Sequence, residues 1–322
     1  MTTTMETATG EAPEEKMERI QLTVVSVTLM FSSLTIIANP LTLVAMAMHG
    51  LIRKNSINVF IASLCLSDFL VGLSAFLFQL QQLLQQRKSK SQEIVAIAWT
   101  AAGPMVIGFL VSNFNAFFIG VDRACATLAP LSYKSRMTTK RAFLALVACW
   151  TTATMSVVLC AIPTVLTNGG FPMLTYPYEM LPDMFIKYYS TPMLIFCISI
   201  NAILYSVIVI AFFKSVKKVQ PDSTFELRNR RMTRMITMVI GVLLLGNIPI
   251  ITVATIPTTV GSTFEYLRSY HMFYDLAFLL MVIPTSFNNC IYVWQLPDFK
   301  RAFEKIFCFR NFRVRAAVNQ SI

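Results

Sequence analysis

The chain is 322 residues long, 55% hydrophobic and only 13% charged, with a formal net charge of +11 and a mean hydropathy of +0.61. Soluble domains carry close to a quarter charged residues. A water-soluble enzyme or nucleic-acid-binding module is therefore excluded, and the basic excess has to be explained by membrane topology. Residues 1–19 are polar and acidic, with Glu6, Glu11, Glu14, Glu15 and Glu18 against Lys16 and Arg19. They lack the basic start and short apolar core of a cleavable signal peptide and read as an extracellular tail. Seven apolar runs follow, at 20–48, 56–84, 94–121, 142–166, 188–213, 235–257 and 270–294. Each is long enough to cross ~30 Å of hydrocarbon as a helix at ~20 residues. Pro192 and Pro284 fall inside the fifth and seventh runs, which membrane helices tolerate. The domain reading is a tail over 1–19, a seven-helix domain over 20–294, and an inner segment over 295–322. In that last segment Phe299, Phe303, Ile306 and Phe307 recur at helical spacing opposite charged residues, the pattern of an amphipathic interfacial helix. Cys308 at its end is a lipidation candidate.

Charge sorts the connections. Of the 27 Lys+Arg, 20 lie in the segments after the first, third and fifth runs and after the seventh. The positive-inside rule then puts the N-terminus outside and the C-terminus in the cytosol of a multi-pass plasma-membrane protein. The basic stretch Arg87-Lys88-Ser89-Lys90 runs against this trend and is outvoted. None of the seven cysteines lies in a segment placed outside, so no extracellular disulfide is expected. The only Asn-x-Ser/Thr sequon, at Asn319, falls on the cytosolic side.

Polar side chains inside the runs carry the chemistry. Asn39, Asp68, Ser112, Asn113, Asn115, Asn201, Asn247, Asn288 and Asn289 all occupy positions where an apolar residue would insert more cheaply. A carboxylate at bilayer depth costs about 2.5–3.5 kcal/mol on insertion scales, so Asp68 should face the bundle interior with partners. No charge occurs between Glu93 and Asp122, where an acid and a base, Asp122-Arg123, close the third run.

The stretch Asp122-Arg123-Ala124 with Pro130-Leu131 and Tyr133 downstream resembles the Asp-Arg-Tyr motif and following loop of rhodopsin-like G-protein-coupled receptors. Asn39, Leu64 with Asp68, Trp150, Asn247-Ile248-Pro249, Asn288 through Tyr292, and Phe299 match the family's landmarks in order and spacing, across residues 20–310. The resemblance implies an all-α membrane protein, a seven-transmembrane helix bundle with a short amphipathic eighth helix. Its implied function is transduction of an extracellular ligand into G-protein activation by outward movement of helix six. Asp122, Arg123, Pro130, Leu131, Tyr205 and Tyr292 would form the coupling switch. Asp68, Ser112 and Asn288 would hold a sodium ion, the one cofactor implied, since oxygen ligands suit a hard cation. Phe78, Gln79, Met105, Phe109, Tyr189, Asn247, Ile250, Asp275 and Phe278 would face a ligand entering from outside. The implied partners are a heterotrimeric G protein, the bilayer, and a small-molecule, lipid or peptide ligand.

The departures from the pattern are specific. Ala124, Asn247 and Asn289 replace the family's Tyr, Trp and Pro, and Ala98 replaces the Cys that pins the second outer loop. The loop over 167–186 is therefore expected to be loosely held. The altered positions leave open a receptor fold that has lost coupling and serves as a partner or scaffold. An ion channel or transporter fits less well, because the polar residues cluster at one level. No nucleophile or metal arrangement of an enzyme is visible, and nucleic acid is not an expected partner.

Overall fold

The computed structural model describes residues 13–87, 92–218, 224–255 and 264–306. Within these, seven helices are long and apolar enough to cross a membrane. Helix is the form an apolar run adopts in hydrocarbon, because it satisfies every backbone group within the segment. Helix one is Pro13–Met48, helix two Ser56–Arg87, helix three Gln92–Leu128, helix four Thr139–Thr167 and helix six Thr224–Thr255. Helix seven is Phe264–Gln295. Helix five is built as Asp183–Phe185, a π turn over Ile186–Ser190, and Thr191–Lys218. The all-α expectation holds, and among the described residues there is no strand.

Several bounds differ from the sequence reading. Helix one begins at Pro13, inside the segment expected as tail. Proline suits the first helical position, and the following glutamates favour the positive end of the helix dipole. The π turn in helix five precedes Pro192, which has no N–H to give to the turn before it; a wider turn absorbs the missing bond. The extra residue offsets the side-chain register at that end of the helix.

The helices close into a ring, with helix one packed on both two and seven, helix two on three, and helix six on seven. Helix four packs chiefly on three and two and leaves much of its surface exposed towards lipid, including Phe143, Leu144 and Leu159. Two close approaches require glycine. A Cβ on Gly72 would stand 2.5 Å from Thr35 Cγ2, and one on Gly246 would stand 2.6 Å from the Leu280 carbonyl oxygen. Small residues let membrane helices pack backbone to backbone, where hydrophobic driving force between helices is absent.

The core has two apolar layers. One, at the basic end, joins Met46, Ile57, Ile61, Leu64, Ile208, Met235 and Tyr292. The other, at the end where helix one starts, joins Val71, Phe78, Met105, Leu174, Tyr176, Ile250 and Phe278. Beyond helix seven a second helical stretch covers 297–306. Phe299 and Ala302 are buried on one face while Lys300, Arg301, Glu304 and Lys305 are exposed on the other. The ring of Phe299 lies 5.9 Å from that of Tyr292, which ties the stretch to helix seven. Phe307 and Cys308 lie outside the described residues, as do Lys88, Ser89 and Lys90.

Candidate functional site

Near the basic end of helix three, between one and two turns before it finishes at Leu128, Asp122 and Arg123 form a buried ion pair. The Arg123 Nε donates to Asp122 Oδ2 at 3.0 Å, and Nη2 reaches the same oxygen. A pair so enclosed keeps its charges only if the remaining hydrogen-bonding capacity is used. Ser56 supplies one partner, its hydroxyl donating to Asp122 Oδ1 at 2.7 Å. Tyr133 supplies the other: its hydroxyl donates to the Asp122 carboxylate at 3.2 Å and accepts from Arg123 Nη2 at 3.0 Å. Burial holds the Tyr133 phenol above its ordinary pKa, partly opposed by Arg123, so it remains a donor. Tyr133 sits on a short helix, Pro130–Arg136, started by the proline at its first position. Pro130 and Leu131 belong to that helix; their side chains lie outside the described atoms. Tyr205 packs against Gly120 within electrostatic reach of Arg123, and its hydroxyl has no hydrogen-bond partner among the described residues. The Tyr292 hydroxyl, one turn before helix seven ends, is also without one. Ser56 carried no motif that would have flagged it, and only its place at the start of a membrane helix was a signal.

Midway along the bundle a polar layer joins helices one, two, three, six and seven. Asp68 Oδ2 accepts from Asn288 Nδ2 at 2.9 Å, and the Ser112 hydroxyl lies beside the same carboxylate. Asp68 Oδ1 and Asn288 Oδ1 are buried oxygens without a hydrogen-bond partner. This donor set, all oxygen and holding one carboxylate, is of the kind that takes a small hard cation. Asn289, at the position of the family's proline, donates to Asn39 Oδ1 at 2.9 Å. Asn39 in turn donates to the Thr35 and Thr285 carbonyls at 3.1 and 3.3 Å. Asn247, at the position of the family's tryptophan, donates to Asn113 Oδ1 at 3.1 Å and so links helix six to helix three. Ser63 accepts from both Asn115 and Trp150 at 3.0 Å, which fixes helix four to two and three.

Towards the other end lies a cavity of about 90 Å³ between helices three, five, six and seven and the loop that follows helix four. Of the nine residues expected to face a ligand, Met105, Phe109, Ile250 and Phe278 line it. The other five do not. Tyr189 is turned out by the register offset of the π turn, and its ring packs on Phe185. Asn247 lies below, engaged with Asn113. Asp275 faces away, accepting from Gln21 of helix one at 3.1 Å and from Gln82 of helix two. Phe78 and Gln79 are buried in the bundle on helix two, outside the lining. Residues not anticipated complete the wall: Tyr178 and Leu181 from the loop, Ser190, Thr191 and Leu194 from helix five, and Tyr274 from helix seven.

The loop itself corrects the expectation of a loosely held segment. Leu174, Tyr176, Met180 and Leu181 are buried. Trp99 Nε1 donates to the Pro172 carbonyl at 2.8 Å. The Tyr176 hydroxyl meets His271 Nδ1. The Tyr178 and Tyr270 hydroxyls are 2.7 Å apart, and Tyr270 donates onward to the Val253 carbonyl at 3.0 Å. Tyr176 stacks on Tyr178 and lies 4.2 Å from Tyr274, centroid to centroid. Glu179 folds back to accept from the Thr175 and Tyr176 amides at 2.6 and 3.1 Å. An aromatic lattice thus does the pinning that a disulfide would otherwise do. The sequence hint was the i, i+4 pair Tyr270 and Tyr274 opposite a loop rich in tyrosine.

Among known proteins, the model of the 7 transmembrane receptor (rhodopsin family) matches residues 38–292. The mouse 5-hydroxytryptamine receptor 6 is 32% identical over 123 residues, which is 38% of this chain. The matched stretch spans 27% of that receptor's own length.

Proposed function

The chain belongs to the seven-transmembrane receptor family of the rhodopsin type, and we propose that it is a G-protein-coupled receptor of the plasma membrane. The observation that carries the reading is the buried Asp122–Arg123 pair at the basic end, closed over by Ser56 and Tyr133. A charged pair sealed inside one end of a membrane bundle is costly, and a switch that releases Arg123 gives that cost a use. In the proposed cycle a ligand entering from the N-terminal side favours a state in which helix six moves away from helix three. That movement breaks the Asn113–Asn247 bond, and Arg123 leaves Asp122 and Tyr133 to meet the G protein. Tyr205 and Tyr292, whose hydroxyls are without partners, are positioned to receive it. The proposed topology, N-terminus outside and basic end in the cytosol, rests on the Lys/Arg distribution. Asp68, Ser112 and Asn288 would hold sodium, which would supply a counter-charge to Asp68 and hold helices two and seven together. The amine in the mouse relative's name is not carried over, because the match covers a minor part of that receptor.

Two bonds favour a second reading, a receptor fold without coupling. Asn289 ties helix seven to helix one, and Asn247 ties helix six to helix three; both stand where the family pattern has other residues. G-protein dissociation measured in cells separates the two. Receptor function predicts a basal or ligand-driven signal that Arg123→Ala abolishes. Silence across the G-protein families, with protein at the cell surface, favours the partner reading.

A further inference from the structure

We infer that the cavity between helices three, five, six and seven binds a small, uncharged, apolar molecule, of the size of a single aromatic ring or a short alkyl chain. The inference rests on the receptor reading only for the purpose of the binding; the site stands on its own geometry.

Three observations carry it. First, the wall holds no charged residue and is largely apolar, with Met105, Phe109, Leu194, Ile250, Phe278 and Met281 among its side chains. Second, two acids at this end of the bundle are committed elsewhere. Glu179 is turned back onto two loop amides, and Asp275 points towards helices one and two, where Gln21 and Gln82 hold it. A ligand ammonium in this cavity would lose its hydration with no counter-charge in return, and a buried unpaired charge is among the costliest arrangements in a protein. Third, the phenol groups at the rim are spent on one another: Tyr178 bonds Tyr270, which bonds the Val253 carbonyl. What polarity is left lies in the hydroxyls of Ser190 and Thr191 on helix five and Tyr274 on helix seven. These suit one neutral hydroxyl or carbonyl on the ligand.

Size narrows the class. An engineered cavity of ~150 Å³ lined by Leu, Ile and Phe stays dry and takes benzene. At about 90 Å³ this one is smaller and of the same chemistry, so the occupant is compact. Met105 and Met281 give the wall unbranched, polarizable side chains that adapt to a ring.

The test uses the full-length protein in detergent, with thermal unfolding as the readout. Two neutral probes, benzene and benzyl alcohol, are compared with two cationic ones, benzylamine and butylamine. The expected result is a Tm that climbs with neutral-probe concentration, by at least about 2 °C near saturation, and is unmoved by either amine. Ala254→Phe fills the cavity from helix six and Met105→Phe fills it from helix three; either should abolish the neutral shift. Amines that stabilise as well as the neutral probes overturn the proposal. So does a neutral shift that survives in both filled variants, or no shift with any neutral probe. Because binding is read without signalling, failure here leaves the Arg123 experiment untouched. A silent Arg123 experiment with intact neutral-probe binding overturns only the receptor reading.

Discussion

Asn247 and Asn113 form a buried amide pair that joins helix six to helix three. Replacing Asn247 with Leu removes the donor and leaves Asn113 Oδ1 buried and unpaired, at about 1–3 kcal/mol. Replacing both residues by Leu removes donor and acceptor together and should recover most of that loss. Interhelical bonds in membranes measured by double-mutant cycles reach about 0.6–1.7 kcal/mol, and the coupling energy from thermal unfolding of the two single variants and the double variant should fall there. In a G-protein dissociation assay Asn247→Leu should raise basal signal, since the bond opposes separation of helices three and six. Unchanged basal signal with a measurable coupling energy would make the pair structural only. Asp68 gives a second test at this scale. Its Oδ1 and Asn288 Oδ1 are buried acceptors that a cation would satisfy. Raising sodium at constant ionic strength, with choline as the balance, should raise Tm in the wild type, and Asp68→Asn should remove the response. An equal sodium response in Asp68→Asn would remove the site.

The loop after helix four behaves as an element because hydroxyls and rings, not a disulfide, fasten it. Tyr270 is the central fastener: its hydroxyl joins Tyr178 to the Val253 carbonyl, and its ring meets that of Tyr176 edge on. Tyr270→Phe keeps the ring and removes the hydroxyl, so the stacking stays and the chain of bonds breaks. The expected cost is about 1–2 kcal/mol, the range for a buried hydroxyl losing its partners. Limited proteolysis should then cut within residues 168–182 several times faster, with helix content unchanged by circular dichroism. A cleavage rate equal to wild type would mean that packing alone holds the loop. Burial pushes the Tyr176 and Tyr178 phenols up from their ordinary value. A raised phenol pKa contributes stability that is present in full below about pH 10, the unfolded value, and lost as pH rises towards the folded one. Proteolysis of the wild-type loop should therefore be flat from pH 7 to about pH 10 and accelerate above it.

For the molecule as a whole, the fold was legible because membrane solvent leaves few choices. A run of about 20 apolar residues must be a helix, and the seven runs are the seven spans. That Asp122, Arg123, Asp68 and the asparagines would be buried with partners was also legible, since they are costly residues in costly places. The cavity was not. Whether a helix residue faces a cavity or the lipid turns on local register, and the π turn before Pro192 shifted Tyr189 outward without a sequence signal beyond the proline itself. Asp275 turns from the cavity for a related reason: a polar residue near a bundle end can be satisfied by a neighbouring helix as readily as by a ligand, as Gln21 satisfies Asp275. Orientation in the membrane is a whole-molecule property that the bundle's shape leaves symmetric, and charge decides it. Moving Lys/Arg-rich segments across the bilayer is what the positive-inside rule disfavours, and 20 of the 27 basic residues fall in the segments after the first, third, fifth and seventh runs. An epitope tag at the N-terminus should therefore bind antibody on intact cells, and one at the C-terminus only after permeabilisation. The reverse pattern would put the Asp122–Arg123 end outside the cell, out of reach of any G protein, and would remove the receptor reading with it. Converting Lys214, Lys217 and Lys218 to Gln should leave the orientation unchanged, because the other three basic segments and Arg228, Arg230, Arg231 and Arg234 remain. A mixed population in that variant would show that the segment after helix five dominates the decision.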